Sequence, residues 1–234
     1  MESRSVNAGC GGGQPCAGIF GARGSNFTRA QRKLPRNLTT DENGNMNLHL
    51  TGDASADALL SDNSFALLVG MLLDQQIAME VAFAGPAKLR DRIGAIDPAT
   101  IAGYDPEKFV EVFRQTPAVH RFPGSMAERV RSLAAAVQND WGGDASAIWT
   151  TGDPDGAEIL RRLKALPGFG EQKAKIFLAL LGKQLGLKAD GWREASGHYG
   201  QAGTHYSIAD ITDAESLQLV REAKKAMKAA TKKA

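Results

Sequence analysis

The sequence is poor in the residues from which disulfides and most metal centres are built. Its 234 residues include two cysteines, Cys10 and Cys16, and four histidines. Two cysteines in a glycine-rich segment give little support to a structural disulfide or a zinc site. The histidines are scattered without the i, i+4 pairing of a helical zinc site, so we expect no catalytic metal.

Long apolar runs and a strong net charge are also missing. No run approaches the roughly 18 residues of a membrane span, and the N-terminus lacks the apolar core of a signal peptide. We therefore expect a cytoplasmic protein without a membrane partner, and we expect it to be a monomer. The net charge is only +2, which excludes a uniform polycation. Hydrophobic residues make up 43% of the chain, enough to form the core of one larger domain or of two small lobes.

Helical signals dominate the chain after its first 45 residues. Residues 1–45 are glycine-rich and then basic, without apolar periodicity, so we interpret them as a disordered arm and Met46 as a candidate translation start. Asp97-Pro98 and Asp105-Pro106 each predict an N-cap followed by proline at the first helical position. Ser125-Met-Ala-Glu128 predicts a capping box. With no strand series, the sequence predicts an all-α fold, with a domain over 46–220 and a basic tail over 221–234.

The most informative motif is Leu166-Pro-Gly-Phe-Gly170, which lies between two helical patterns. Pro167 ends the first helix, whereas Gly168 and Gly170 can take positive φ and leave their amides uncovered. A helix N-terminus with uncovered N–H groups binds phosphate. The motif therefore favours a hairpin that grips the DNA backbone, with an ordinary turn between helices as the alternative.

Basic residues concentrate at two places. Residues 161–193 carry eight Lys or Arg against two acids, and Lys173 and Lys175 fall in the first turns after the hairpin. Residues 221–234 carry six Lys or Arg against one acid. This second cluster is either a mobile phosphate-seeking tail or a solubilising helical end.

Two separate stretches resemble the HhH-GPD DNA glycosylases. Leu166-Pro-Gly-Phe-Gly170 followed by Asp190 is similar to the helix-hairpin-helix, Gly/Pro-rich loop and aspartate signature of that family. Residues 64–77 are similar to its first core helix, and Gln76 stands where the family's wedge glutamine enters the DNA stack. The resemblance covers about residues 46–195 and implies two helical lobes with a DNA cleft between them.

The resemblance also indicates which chemistry to expect. In the lyase-competent branch, a lysine two positions after the last hairpin glycine forms a Schiff base with the sugar. Here that position is Gln172, and a carboxamide cannot be such a nucleophile. Lys173 is one step further along the helix, which turns its side chain by about 100°, so we interpret it as a phosphate contact or a solvated charge. We therefore expect a monofunctional DNA glycosylase that hydrolyses the N-glycosidic bond of a damaged or mismatched base in duplex DNA.

Asp190 is the catalytic residue that the resemblance implies, and it follows the second helix closely enough in sequence to fold back beside the hairpin. A carboxylate near the anomeric carbon stabilises an oxocarbenium-like sugar and orients or deprotonates a water. Many family members have Thr-His after this aspartate, whereas this chain has Gly191-Trp192. Trp192 could stack on an extruded base or be partly buried in the core, and Tyr199, in a Gly/His/Tyr loop, could read that base.

The remaining site predictions concern the DNA contacts. They comprise Gln76, Gly168, Phe169, Gly170, Gln172, Lys173 and Lys175. The segment from His120 to Ser125 is either a loop at the base pocket, with Arg121 on a phosphate, or a plain turn between helices.

The resemblance also bears on location, cofactors and other functions, and if the protein is bacterial we expect it to associate with the nucleoid. The four cysteine ligands of the iron–sulfur cluster found in some family members are absent from the sequence. We expect no cofactor, although hairpins of this family can hold a monovalent cation on their carbonyls. Two alternatives stay open, namely a non-catalytic DNA-binding protein and a bifunctional glycosylase and lyase that uses Lys173.

Overall fold

A computed structural model describes residues 48–231 of the chain, and every regular element in that range is helical. The α-helices are α1 (Ala54–Asp62), α2 (Ser64–Leu73), α3 (Met79–Phe83), α4 (Gly85–Ile93), α5 (Pro98–Ala102), α6 (Pro106–Arg114), α7 (Pro123–Asp140), α8 (Ala147–Thr150), α9 (Gly156–Ala165), α10 (Glu171–Gln184), α11 (Trp192–Ala195) and α12 (Ala214–Thr231). Two 3₁₀ helices span Gly197–Gly200 and Ile208–Asp210. The all-α prediction is confirmed, whereas the predicted arm with its two cysteines lies outside the described residues.

Most helix starts follow the local signals. Asp97 and Asp105 cap α5 and α6, each accepting a hydrogen bond from the backbone N–H three residues ahead, and proline follows each of them. The capping box predicted at Ser125 is wrong. Helix α7 begins earlier, at Pro123, and its N-cap residue Phe122 makes no side-chain cap. Proline at the first helical position is preorganised for the helix, so α7 starts there.

The helices pack in two groups that share one continuous hydrophobic core. In the first group, α7 packs against α5, α6 and α2, and α2 also packs against α4. In the second, α10 packs against α9, α11 and both 3₁₀ helices. Every residue of α2 after Ser64 is buried, which explains its almost wholly apolar sequence.

No single helix within residues 48–231 is both long and apolar enough to cross a membrane. Helices α1 and α2 reach that length only as a pair, and they are bent by 116° at the break between them.

The three tryptophans of the chain all lie in the second half of the fold. Trp141 lies beneath the guanidinium of Arg162, with 5.3 Å from Arg162 Cζ to the ring centroid. Trp149 packs on Phe177, with 5.8 Å between ring centroids, and Trp192 is buried. These aromatic side chains support α9 and α10, the two helices that carry the hairpin.

Candidate nucleic-acid interface and cleft

The hairpin between α9 and α10 has the expected sharp turn at one of its two glycines. Gly168 has a φ of 82°, so the prediction of positive φ is confirmed there. Gly170 has a φ of −73°, so the same prediction is wrong at that position. Gly170 is the N-cap of α10 and caps it without a side chain, and no acceptor in the described part of the chain takes a hydrogen bond from its N–H. The start of α10 is thus open to an anion.

Phe169 contributes to the hairpin from the inside. Its side chain is buried and packs edge-on against Phe177, with 6.0 Å between ring centroids. Its N–H donates to the Leu166 carbonyl at 3.1 Å. Among the predicted DNA contacts, Phe169 therefore serves to hold the turn in shape, and both its side chain and its N–H already have partners.

The hairpin is anchored to the C-terminal end of α2. A Cβ placed on Gly168 would stand 2.3 Å from Leu72 Cδ1, so the two segments touch where only glycine fits. Lys173 extends from the first turn of α10 and donates from Nζ to the carbonyls of Met71 at 2.7 Å and Leu72 at 2.9 Å. These carbonyls are among the last four of α2, which have no partner within the helix. A cation at this end also suits the helix dipole.

These contacts enclose the amine of Lys173 and change its pKa. Burial is the largest influence on its amine and lowers its pKa to about 8, while the negative charge of Asp74 acts in the opposite direction. The sequence suggested that Lys173 is a phosphate contact or a solvated charge. In the structure its ammonium is instead largely enclosed between α10 and α2, because the end of α2 supplies two acceptors within reach of the side chain.

Gln76 lies in a turn that follows α2 directly. Its side chain is exposed, and its φ of 57° is the left-handed conformation that few residues other than glycine adopt. The preceding residue holds this turn in place. Gln75 donates from Nε2 to the Leu72 carbonyl at 2.6 Å, and its Oε1 accepts from Arg129 at 2.8 Å. The geometry presents the predicted wedge residue on a constrained backbone beside the hairpin.

His120 also holds this turn in place through a hydrogen bond to Gln75. Its Nδ1 accepts from the Phe122 N–H at 3.1 Å, so Nε2 carries the hydrogen and donates to the Gln75 carbonyl at 2.9 Å. Burial is the main cause that lowers the pKa of His120. The segment that begins at His120 is therefore more than a connection between helices, because it packs against the Gln76 turn and directs Arg121 towards the adjoining cleft.

A cleft of about 940 Å³ opens beside Gln76. Its walls come from the end of α2, the start of α3, the His120 segment and the C-terminal helix α12. The charged residues that line it are Asp74, Glu80, Arg121, Arg221, Lys224 and Lys225. Four positive side chains face two carboxylates, so the cleft favours a polyanion.

Helix α12 contributes most of this positive charge. Arg221 forms an ion pair with Glu80 of α3. Burial acts to raise the pKa of Glu80, but a backbone hydrogen bond, the bond from Arg221 and the charges of Arg221 and Lys224 together lower it. Val220 is buried and fixes this part of the helix to the core. The basic residues at 221–225 are therefore held in a helix at the cleft wall.

Asp190 does not lie beside the hairpin, and the expectation that it folds back there is wrong. Its side chain is exposed, and its carbonyl accepts from the Gly156 N–H at 2.7 Å, at the first residue of α9. Helix α9 has ten residues and ends at the hairpin, which separates its two ends by about 15 Å. The close packing of the next turn, Gly191 and Trp192, on Gly156 fixes Asp190 at the remote end.

The two predicted base-pocket residues, Trp192 and Tyr199, lie near opposite ends of α10. Trp192 packs its ring over Gly182, where a Cβ would approach to 2.4 Å, so it belongs to the core near the end of α10. Tyr199 lies near the start of α10, where its hydroxyl accepts from Gln172 Nε2 at 3.0 Å. Lys175 pairs with Glu171 at 2.7 Å on the exposed face of the same helix. Tyr199, Gln172 and Lys175 are thus close to the hairpin, and Trp192 is not.

Asp74 is a cleft residue that the sequence reasoning missed. It is the C-cap residue of α2, is half-buried and stands two residues before Gln76. A carboxylate at the C-terminus of a helix is disfavoured by the helix dipole. An acid at the end of a strongly apolar helix, directly before two glutamines, is the signal that could have identified it.

Taken together, the open start of α10 and the turn that presents Gln76 beside a basic cleft define a helix-hairpin-helix protein that binds DNA. The profile of the HhH-GPD superfamily of base excision DNA repair proteins matches residues 69–233. The chain belongs to this superfamily, whose members are generally DNA glycosylases. A search of curated proteins found no match to the chain.

Proposed function

We propose that the protein is a monofunctional DNA glycosylase, which hydrolyses the N-glycosidic bond of a damaged or mismatched base turned out of duplex DNA. The observation that carries this proposal is the direct connection between the hairpin and the Gln76 turn. Leu72 contacts Gly168, and Lys173 binds the Met71 and Leu72 carbonyls, so the two segments form one rigid surface. A backbone grip and a wedge must be fixed relative to each other if binding is to drive extrusion of a base.

The residues in the first turns of α10 support hydrolysis rather than lyase chemistry. Gln172 stands at the lyase position and donates to the Tyr199 hydroxyl. The ammonium of Lys173 donates to two carbonyls of α2 and would have to leave them to attack a sugar. Water is then the nucleophile, and the reaction leaves an abasic site.

In the proposed complex, the N–H groups around Gly170 bind a phosphate of the strand that carries the extruded nucleotide. Gln76 fills the gap in the stack, and the basic cleft wall receives further phosphates. A monovalent cation on the hairpin carbonyls stays a prediction of the family. The Leu166 and Gly170 carbonyls each accept one backbone hydrogen bond, which leaves a second lone pair compatible with such an ion. No step of the reaction depends on it.

The cleft wall formed by α12 leads to a quantitative prediction. In the double variant Lys224→Gln/Lys225→Gln, the slope of log Kd against log salt concentration should decrease by about 2, because each lost phosphate contact removes about 0.9 from it. The measurement is the Kd for a short duplex at four salt concentrations. Lys108→Gln/Lys188→Gln is the matched control, since both lysines are exposed, neither lines the cleft and the change of net charge is the same. Equal slopes in the two double variants would exclude α12 from the interface.

The proposed activity is tested by a screen of duplex oligonucleotides that carry uracil, hypoxanthine, alkyladenine, 8-oxoguanine or single mismatches. We expect strand cleavage with at least one substrate, and only after alkali, because a monofunctional enzyme leaves the abasic strand intact. Gln76→Ala should lower the cleavage rate on a paired lesion more than on the same lesion in single-stranded DNA, where no gap in a stack needs to be filled.

Two observations favour other functions for the same surface. The position of Asp190 at the start of α9 favours a non-catalytic DNA-binding protein. Such a protein would cleave no substrate in the screen but would still bind duplex DNA. The lowered pKa of Lys173 favours a bifunctional enzyme, since a neutral amine is a nucleophile. Borohydride would then trap a covalent adduct between the protein and DNA, and this adduct would disappear in Lys173→Met.

A further inference from the structure

We propose that neutral His120 is a positioning residue for the insertion of Gln76 into DNA, because its ring joins the Gln76 turn to the segment that carries Arg121. This inference rests on the proposed glycosylase function and adds the side chain on which the wedge depends. His120 is only 2% exposed and does not line the cleft, so it acts through its neighbours and not on DNA itself.

The ring of His120 makes one hydrogen bond to each of two segments that line the cleft. Nε2 donates to the Gln75 carbonyl at 2.9 Å, on the residue directly before Gln76. Nδ1 accepts from the Phe122 N–H at 3.1 Å, on the residue directly after Arg121. One buried side chain therefore fixes the backbone of both segments.

The bond to Gln75 acts on the backbone of Gln76. The side chain of Gln75 is held by Leu72 and Arg129, whereas His120 holds its carbonyl. That carbonyl and the Gln76 N–H belong to one planar peptide group, so the bond orients the plane from which the Gln76 side chain departs. The φ of 57° at Gln76 is a strained conformation, which persists only where the surrounding structure enforces it.

The bond to Phe122 requires a neutral ring. A protonated imidazole carries a hydrogen on both nitrogens and has no acceptor. Protonation of Nδ1 would therefore place two donors face to face and release the Phe122 N–H, while the bond from Nε2 to Gln75 is kept. The two segments are joined only while His120 is uncharged.

The surroundings of His120 favour this neutral form. Burial is the largest cause that lowers its pKa, and the positive charges of Arg121 and Lys173 lower it further. The carbonyls of Gln75 and Leu73 act in the opposite direction, because they attract the ring hydrogen. Three cations and one carboxylate lie on the segments around the ring, namely Arg121, Arg129 of α7, Lys173 of α10 and Asp74 at the end of α2.

Two substitutions separate the two bonds at about pH 7.5, where His120 is neutral. His120→Asn keeps an acceptor near the position of Nδ1 but loses the donor to Gln75, whereas His120→Gln keeps the donor and loses the acceptor for Phe122. The measurement is the ratio of Kd values for an intact duplex and for the same duplex with a tetrahydrofuran abasic site, which offers a gap to Gln76. Each variant should lower the wild-type ratio about fivefold, the loss expected for one hydrogen bond.

The wild type provides a second test through pH. Below the ordinary pKa of 6.5, the unfolded chain takes up a proton before the folded protein does. Stability and the Kd ratio should therefore be constant above about pH 6.5 and decrease as the pH falls through the lowered pKa of His120. NMR spectra of the imidazole nitrogens show where this residue titrates. The decrease of the Kd ratio should be absent from His120→Asn and His120→Gln.

His198→Gln is the matched control, since His198 is exposed and does not line the cleft. It should keep both the Kd ratio and its pH dependence within about twofold of the wild type. Thermal unfolding shows whether each variant is folded, and the titration of the wild type needs no variant.

The outcomes distinguish this inference from the function on which it rests. A wild-type Kd ratio in either His120 variant would overturn the inference alone, as would a ratio that stays constant while His120 becomes protonated. A wild type that neither prefers the abasic duplex nor excises any lesion would overturn the proposed function as well.

Discussion

Gly168→Ala is expected to lower the free energy of unfolding by about 3 kcal/mol and to weaken duplex binding more than tenfold. Two independent costs contribute. The φ of 82° places the residue in the left-handed region, where a side chain is strained. The added methyl group would also stand 2.3 Å from Leu72 Cδ1, so the hairpin would have to move away from α2. Urea denaturation and fluorescence anisotropy with a labelled duplex measure the two effects.

The matched control for this change is Gly170→Ala, two residues away in the same hairpin. Gly170 has an ordinary φ of −73°, and nothing stands within 4 Å of an added Cβ. The fold should therefore keep its stability within about 0.5 kcal/mol. Its DNA affinity should nevertheless fall, because the methyl group would occupy the space through which a phosphate approaches the start of α10. Unchanged affinity in Gly170→Ala would contradict the proposed backbone grip.

Gly156→Ala should destabilise the protein by about 3 kcal/mol or more, without any role of Gly156 in DNA contact. A Cβ at this position would stand 2.4 Å from Trp192 Cα and 2.5 Å from Trp192 N. Both obstructing atoms belong to the backbone, so no rotation of a side chain relieves the overlap. In the variant, the Gly191 turn must therefore move away from α9. Urea denaturation monitored by circular dichroism measures the resulting loss in the free energy of unfolding.

Gly124→Ala is the control for this second prediction. Gly124 also lies in the first turn of a helix, but nothing stands within 4 Å of its added Cβ. Alanine there should leave the stability unchanged or raise it by up to about 1 kcal/mol, since alanine favours helix. If Gly156→Ala were as harmless as Gly124→Ala, the placement of Asp190 at the start of α9 would be wrong.

Local chemistry explains which parts of the fold could be predicted from the sequence. The aspartates at 97 and 105, each followed by proline, fix helix starts through interactions that span only three residues. Gly168 was predictable for a similar reason, because a proline and a glycine after a helix leave few backbone conformations. The same reasoning failed at Gly170, where the next helix begins directly and its N-cap takes an extended conformation.

The site residues that were misplaced depend on contacts between distant segments. Five residues separate the end of α10 from Asp190, enough chain to run back to the hairpin or to stay at the far end. The choice is made by the fit of Trp192 against Gly156 and Gly182, which no local pattern encodes. Lys173 was misread for the same reason, since its partners lie about 100 positions earlier in the chain. Such contacts are set by tertiary packing.

The positions of the tryptophans decide how binding can be observed. Trp141, Trp149 and Trp192 all pack around the helices that support the hairpin, and none lines the cleft beside Gln76. Their intrinsic emission should therefore follow the opening of α9 and α10 during unfolding and stay nearly constant when DNA enters the cleft. Phe122, 40% exposed and adjacent to Arg121, offers a position where an introduced tryptophan would make occupancy of the cleft visible by quenching.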